Sequence, residues 1–199
     1  DLEKLNLAPR FAIGYRIAKG WTSSLAYWIV YQNPENIYFG STSLNYQKAE
    51  HYILQLQKSS EGRSFRLEAF YKNYNDLIKT KFLGYRPVAI NNNGDGYAKG
   101  LEVFWRDKKS IKDIDYWVSY SFLDSKRNFE NYDQSLFPSF AAKHTLSIVA
   151  KKFVTAWKTG FNVSYTYTSG RPYYNFQTDS NGDYHLNNYG TLKDYNALN

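Results

Sequence analysis

The chain has no cysteine and no methionine, and only five prolines and three histidines in 199 residues. Without cysteine there is no disulfide framework, thiol nucleophile, zinc knuckle or thiolate-held iron–sulfur cluster. His51, His144 and His185 stand far apart, and no HExxH pair, GxSxG elbow or phosphate-cradling glycine loop occurs. Catalysis therefore has no candidate constellation, and a non-enzyme without a cofactor is expected. No stretch approaches the roughly 18 consecutive apolar residues of a spanning helix, and mean hydropathy is −0.62. A helical membrane protein is excluded; a membrane β-barrel is not.

What the chain does have is aromatic surface: 20 Tyr, 13 Phe and 5 Trp, 19% of its residues, too much for a disordered polypeptide. The net charge of +7 would suit nucleic acid, but the lysines and arginines are spread singly. The longest cluster, Lys108, Lys109 and Lys112, lies beside Asp107, Asp113 and Asp115 and reads as a solvated turn, so nucleic acid is not expected as a partner. The start at Asp1, in a polar-periodic segment without a signal peptide, reads as part of a longer chain.

Helical periodicity is nearly absent, whereas period-two alternation recurs along the chain. Phe11, Ile13, Tyr15 and Ile17 alternate with Arg10, Ala12, Gly14 and Arg16; Leu67, Ala69 and Tyr71 with Arg66, Glu68 and Lys72; Leu101, Val103 and Trp105 with Glu102 and Arg106. About eight such strands of roughly nine to twelve residues are expected, longer than strands of soluble sheets and near the bilayer-crossing length. Short turns alternate with long loops rich in Asn, Gly and Ser. The fold expected is all-β: an antiparallel up-and-down transmembrane β-barrel segment occupying residues 1–199.

Parity decides which side meets lipid, because a spanning sheet turns its charges to the lumen. Arg66, Glu68, Lys72, Glu102 and Arg106 share one parity and are expected to face the lumen, Glu68 and Glu102 pairing with Arg66 and Arg106 as an ion ladder. Trp21, Trp105, Tyr116 and Trp157 near the short turns, and Tyr31, Tyr71, Tyr165 and Tyr167 near the long loops, form two interfacial girdles. A soluble sheet would instead bury Leu67, Leu101 and Val103 in a sealed two-layer stack.

Several segments carry a family likeness: Leu7 to Tyr15 (LAPRFAIGY), Ala49 to Leu54 (AEHYIL), Ser64 to Lys72 (SFRLEAFYK), Ala98 to Glu102 (AKGLE), Tyr120 to Phe122 and Thr168 to Tyr173 (TSGRPY). In this order they resemble the C-terminal barrel half of TonB-dependent outer-membrane receptors. The resemblance implies a receptor of the Gram-negative outer membrane that imports a scarce solute, an iron chelate, vitamin or glycan, with energy delivered through TonB. Its partners would be outer-membrane lipid, the plug domain of the same full-length chain, TonB through an N-terminal part, and the ligand. Plug and closing strand are absent from these residues. A self-contained small outer-membrane barrel serving as anchor or adhesin, and a soluble carbohydrate-binding β-protein, are the alternatives.

Ligand contacts are expected from the long loops, at Tyr38, Tyr46, Tyr85, Tyr132, Tyr173 and Tyr174, with Phe39, Phe137 and Phe176 beside them. Asn91, Asn93 and Asp95, followed by Gly96 and Glu102, approximate a calcium-loop pattern without flanking helices; a Gly-rich loop is the plainer reading.

Overall fold

A computed structural model describes residues 5–38, 44–83, 86–179 and 183–199; side chains at 82–83, 86–87 and 184 lie outside that description. Nine strands form one antiparallel sheet in the order β1 (Arg10–Ala18), β2 (Trp21–Gln32), β3 (Gln47–Ser60), β4 (Arg63–Leu83), β5 (Arg86–Asp107), β6 (Ile114–Asn128), β7 (His144–Val154), β8 (Thr159–Thr168) and β11 (Tyr195–Leu198). β9 (Pro172–Thr178) and β10 (Tyr184–Thr191) make a separate hairpin. Each strand from β1 to β8 pairs with its sequence neighbour, as in an up-and-down wall. The sheet is open, with β1 and β11 at its edges.

Register keeps the two parities apart across the wall. One row runs Ile13, Leu25, Leu54, Ala69, Leu101 and Phe122, and the row beside it on the same face runs Leu56, Leu67, Val103, Tyr120 and Leu146. The opposite face carries Gln55, Glu68, Glu102 and Ser121 in a single row. Among the described residues no second layer covers the apolar face: Leu25, Leu54, Leu101 and Val163 are 48%, 54%, 39% and 53% exposed. Burying one such side chain is worth about 1.5–3 kcal/mol, so a whole face of them specifies an apolar medium. The two-layer soluble stack is not the arrangement adopted.

Four short connections lie at one end of the sheet. Gly20 and Gly62 occupy the left-handed region, at φ 77° and 72°, where a side chain is strained. The last short connection is a 3₁₀ turn, Thr155–Trp157, closed by Lys158 in the left-handed conformation, and β8 begins at Thr159. At the other end, two segments expected to be loops are strands. β4 and β5 run on together to Leu83 and Arg86 through register shifts after Tyr74, Leu77 and Lys79, and β9–β10 occupies the fourth long connection. Strands from β3 to β6 span 14 to 22 residues, and the short β11 is the ninth strand of the sheet. The small hydrophobic core sits at this end, where Leu44, Ile78 and Ala89 pack with Tyr38.

Candidate functional site

The long-connection end gathers four pieces: the residues after β2, the β4–β5 extension, the segment between β6 and β7, and the β9–β10 hairpin. Asn92 ties the first two together. Its Oδ1 accepts from the Asn45 amide at 2.8 Å, while its Nδ2 donates to the carbonyls of Asn45 at 3.1 Å and Asp76 at 2.9 Å. The third piece is stitched to β4 through backbone: the Glu130 amide donates to Ile78 O at 2.7 Å and the Thr80 amide to Glu130 O at 2.9 Å. Lys79 Nζ reaches in beneath, donating to Asn128 Oδ1 at 2.6 Å and to Tyr132 O. Burial pulls the Lys79 ammonium below the usual lysine range, with Asp133 and Asp95 opposing.

An aromatic cluster fastens the hairpin. Tyr132, 8% exposed, stacks on Phe176 at 5.7 Å and meets Phe129 and Tyr174 edge-on at 5.2 and 5.9 Å. The Tyr174 hydroxyl donates to Phe137 O at 2.8 Å, and the Leu186 amide to Asp133 at 3.1 Å. Lys81 pairs with Asp183 across the same junction.

Beside this cluster lies a cavity of about 390 Å³ between the β2–β3 end and the segment after β6, lined by Glu35, Tyr38, His51, Tyr74, Arg127 and Glu130 among others. The Arg127 guanidinium lies 4.3 Å from the centre of Tyr74, 5.5 Å from Phe140 and 5.8 Å from Phe129. Its Nε is buried without a hydrogen-bond partner among the described residues, as is Nδ1 of His51, whose ring stacks on Trp28 at 4.9 Å. Burial, and then the charge of Glu35, raise the Glu130 carboxyl above the ordinary range, Arg127 countering. Burial raises the Tyr38 phenol as well, with Glu130 and Glu35 adding to it. An arginine held among rings beside two carboxylates suits a ligand offering both charge and a flat surface.

Of the loop tyrosines singled out from the sequence, Tyr132 and Tyr174 meet, and Tyr38 lines the cavity. Tyr46 is not among the residues lining the cavity, and Tyr173, 42% exposed, covers Gly190 within the hairpin. Tyr85 and Phe39 lie outside the described residues. Arg127, Glu130 and Lys79 were not anticipated; Arg127 follows Lys126 and Lys79 precedes Lys81 as ordinary scattered charges do, and only pairing between the extension and the segment after β6 brings them together.

The calcium-like segment is strand. Asn91 stands opposite Lys79, Gly94 opposite Leu77 and Asp95 opposite Asn128, so the Gly-rich loop expected there is replaced by the β5 extension. Asn91 Oδ1 accepts from the Asn93 amide at 2.9 Å. Among the described residues no three His, Asp or Glu side chains gather in a way that would hold a metal ion.

Arg66, Glu68, Lys72, Glu102 and Arg106 all lie on the face opposite Leu67 and Val103 by register. The expected ion ladder does not form. Arg106 makes a bidentate pair with Asp115 at 2.9 and 2.7 Å, Arg66 lies 5.9 Å over Phe104, and Lys72 lies 5.4 Å over Phe70. Glu68 accepts from Gln55 at 3.2 Å. Interleaved aromatic side chains on the polar face take the cations that parity alone would have given to the glutamates.

No family model and no curated protein matches the sequence. Among solved structures the chain superposes on the FrpB iron transporter of Neisseria meningitidis with a TM-score of 0.72 and 14% identity, over 97% of this chain and 31% of that one. It superposes on the pyoverdine outer membrane receptor FpvA of Pseudomonas aeruginosa, bound to pyoverdine, with a TM-score of 0.72, 9% identity and coverage of 96% and 28%. The fold is that of a TonB-dependent receptor wall. The ferric enterobactin receptor PfeA of Pseudomonas aeruginosa, in complex with enterobactin, gives a TM-score of 0.71, 12% identity and coverage of 97% and 32%. The chain spans about a third of the length of these structures. The all-β antiparallel wall expected from alternation is thus the one found, as an arc that does not close on itself.

Proposed function

We propose that this chain is part of the barrel wall of a Gram-negative outer-membrane receptor that imports a scarce solute, an iron chelate before a vitamin or glycan, with TonB-coupled energy. The observation that carries the reading is the separation of apolar and charged parities through the middle of β1 to β8, with charges on the apolar face confined to strand ends, combined with short connections at one end and long ones at the other. In lipid only a closed barrel satisfies every strand edge. An open nine-stranded arc therefore calls for further strands, which favours a large receptor over a self-contained small barrel.

The charged face borders the lumen and the plug domain of the same full-length chain, where Glu68, Glu102, Arg66, Lys72 and Arg106 offer polar contacts. Ligand is captured at the long-connection end, with Arg127 and Tyr38 in the cavity and Tyr132 and Tyr174 holding its wall. The likeness to an iron transporter and to receptors of pyoverdine and ferric enterobactin supports the chelate class.

Uptake of radiolabelled iron chelates by cells making or lacking the full-length protein, with and without TonB, tests this. Uptake of at least one chelate is expected to require both proteins, and Arg127→Ala to weaken its binding. Recovery of the full-length protein as a monodisperse species without detergent would overturn the reading.

A further inference from the structure

On the apolar face, near the short connections, one row of the ladder consists of Trp21, Lys58, Phe65 and Trp105 on β2 to β5. Trp21 and Phe65 meet edge to face at 6.3 Å, Phe65 and Trp105 lie 6.2 Å apart, and the Lys58 ammonium is 5.0 Å from the centre of the Trp21 ring. These four side chains, with Ser60 and Arg63, line a groove of about 370 Å³. On the next row toward the interior of the sheet come Leu56, Leu67 and Val103. In the other direction comes Arg63, at the mouth of the β3–β4 turn.

The charges here are unbalanced in a specific way. Arg63 Nε donates to Asp107 at 3.0 Å and one terminal nitrogen donates to Ser110 Oγ at 2.9 Å. The other terminal nitrogen has no acceptor among the described residues, and the side chain is 45% exposed. The nearby carboxylates are engaged, Asp107 by Arg63 and its own turn, Glu61 by Lys109 at 3.0 Å. Lys58 has no ion-pair partner among the described residues. Two donors thus stand at the aqueous rim of an aromatic floor that continues into aliphatic side chains.

We propose that this groove is a binding site for one glycerophospholipid of the leaflet on the short-turn side. Its phosphate sits between the Lys58 ammonium and the open nitrogen of Arg63, its glycerol lies on Trp21, Phe65 and Trp105, and its acyl chains follow Leu56 and Leu67. The site rests on the reading that this face meets lipid. A phosphodiester matches a guanidinium and an ammonium in charge and geometry. Indole and phenyl rings sit at the depth of the glycerol backbone, and the aliphatic rows give the acyl chains a surface that a free phosphate would not use.

The intact protein carrying this chain, purified in a nonionic detergent, is to be analysed by native mass spectrometry with dioleoylphosphatidylglycerol and with dioleoylglycerol, which has the same chains and no phosphate. Preferential retention of the phospholipid is expected. Lys58→Gln should lower it about fivefold, the value of one cation at a lipid phosphate. Lys109→Gln, which loses only its contact with exposed Glu61, should retain it fully. A heat-modifiable band on gels confirms that each variant is folded. Equal retention of phospholipid by Lys58→Gln and the unmodified protein, equal retention of dioleoylglycerol, or displacement of the lipid by millimolar inorganic phosphate would overturn the proposal. Failure of the membrane reading itself looks different: the protein would be monodisperse without detergent and retain neither lipid.

Discussion

Glu68 and Glu102 stand directly opposite one another on β4 and β5, two carboxylates on one face. Gln55 donates to Glu68 at 3.2 Å from the other side, and among the described residues no ion pair reaches either glutamate. Like charges at opposed positions repel, which costs a few tenths of a kcal/mol up to about 1 kcal/mol. Glu102→Gln in the intact protein is therefore expected to raise stability by about 0.5 kcal/mol, read as a higher urea midpoint in detergent micelles. A lowered midpoint would place a cation from outside this chain between the two side chains, as a plug domain would supply.

Asp107, 1% exposed, is the most completely bonded side chain of the short-turn end. It accepts from the Ser110 hydroxyl at 2.7 Å, the Lys109 and Ser110 amides at 2.6 and 2.8 Å, and Arg63 Nε at 3.0 Å. These donors, the Ser110 hydroxyl first, lower its carboxyl to about 2. A carboxylate depressed by folding stabilises above the unfolded value of about 3.9, and that stability is lost as pH falls through the folded value. The unfolding midpoint should accordingly drop between about pH 4 and pH 2. Asp107→Asn should be less stable at neutral pH and should show a smaller drop over the same interval.

Sequence alternation made the wall legible because a barrel strand has two unlike environments, and a period of two survives wherever both are present. It held from Phe11 to Ile17 and from Phe65 to Tyr71. It failed from Asn91 to Gly96, where asparagines and glycines look like a turn but serve close strand approach: a Cβ on Gly94 would lie 2.6 Å from the carbonyl oxygens of Leu77 and Asn128. Tyr132 and Tyr174 were legible as loop aromatics. Arg127 was not, because nothing local distinguishes a lysine or arginine bound for solvent from one that will lie among Tyr74, Phe129 and Phe140. The ion ladder was misjudged for a related reason, since Phe70, Phe104 and Trp117 share the polar face and parity counts them as exceptions rather than as cation partners.

Gly100 shows how tightly that face is filled. The Phe70 ring covers it from the paired strand, and a Cβ there would lie 2.6 Å from the ring and 2.2 Å from the carbonyl oxygen of Phe122. Gly100→Val should destabilise the wall by about 1–3 kcal/mol through overpacking, seen as loss of the heat-modifiable band at a lower temperature. Gly14, with open space around its Cβ position, should accept alanine without that loss.

The β9–β10 hairpin depends on Tyr132. A two-stranded hairpin is marginal by itself in water, and this one is held at Phe176 and Tyr174 by the same ring. Tyr132→Ala should release the hairpin while the wall stays folded. Hydrogen–deuterium exchange should then accelerate over residues 172–191 and remain unchanged in β3 and β4. Uniform acceleration across both regions would mean that the cluster supports the whole sheet.

The assignment of faces has its sharpest test in two neighbours on β3. Leu54 lies in the middle of the apolar band, between the row of Trp21 and that of Tyr27, Tyr52 and Tyr71, and is 54% exposed. Gln55, next to it, points to the opposite face beside Glu68. Arginine on the lipid side near the bilayer midplane costs about 2–4 kcal/mol, and far less where it meets water. Leu54→Arg is thus expected to lower the stability of the protein folded into phospholipid vesicles by that amount, measured by urea titration of tryptophan fluorescence. Gln55→Arg should change it by less than about 1 kcal/mol and gain an attraction to Glu68 and Glu102. The reverse order would put hydrocarbon against the glutamates, and no barrel wall of this register would then fit.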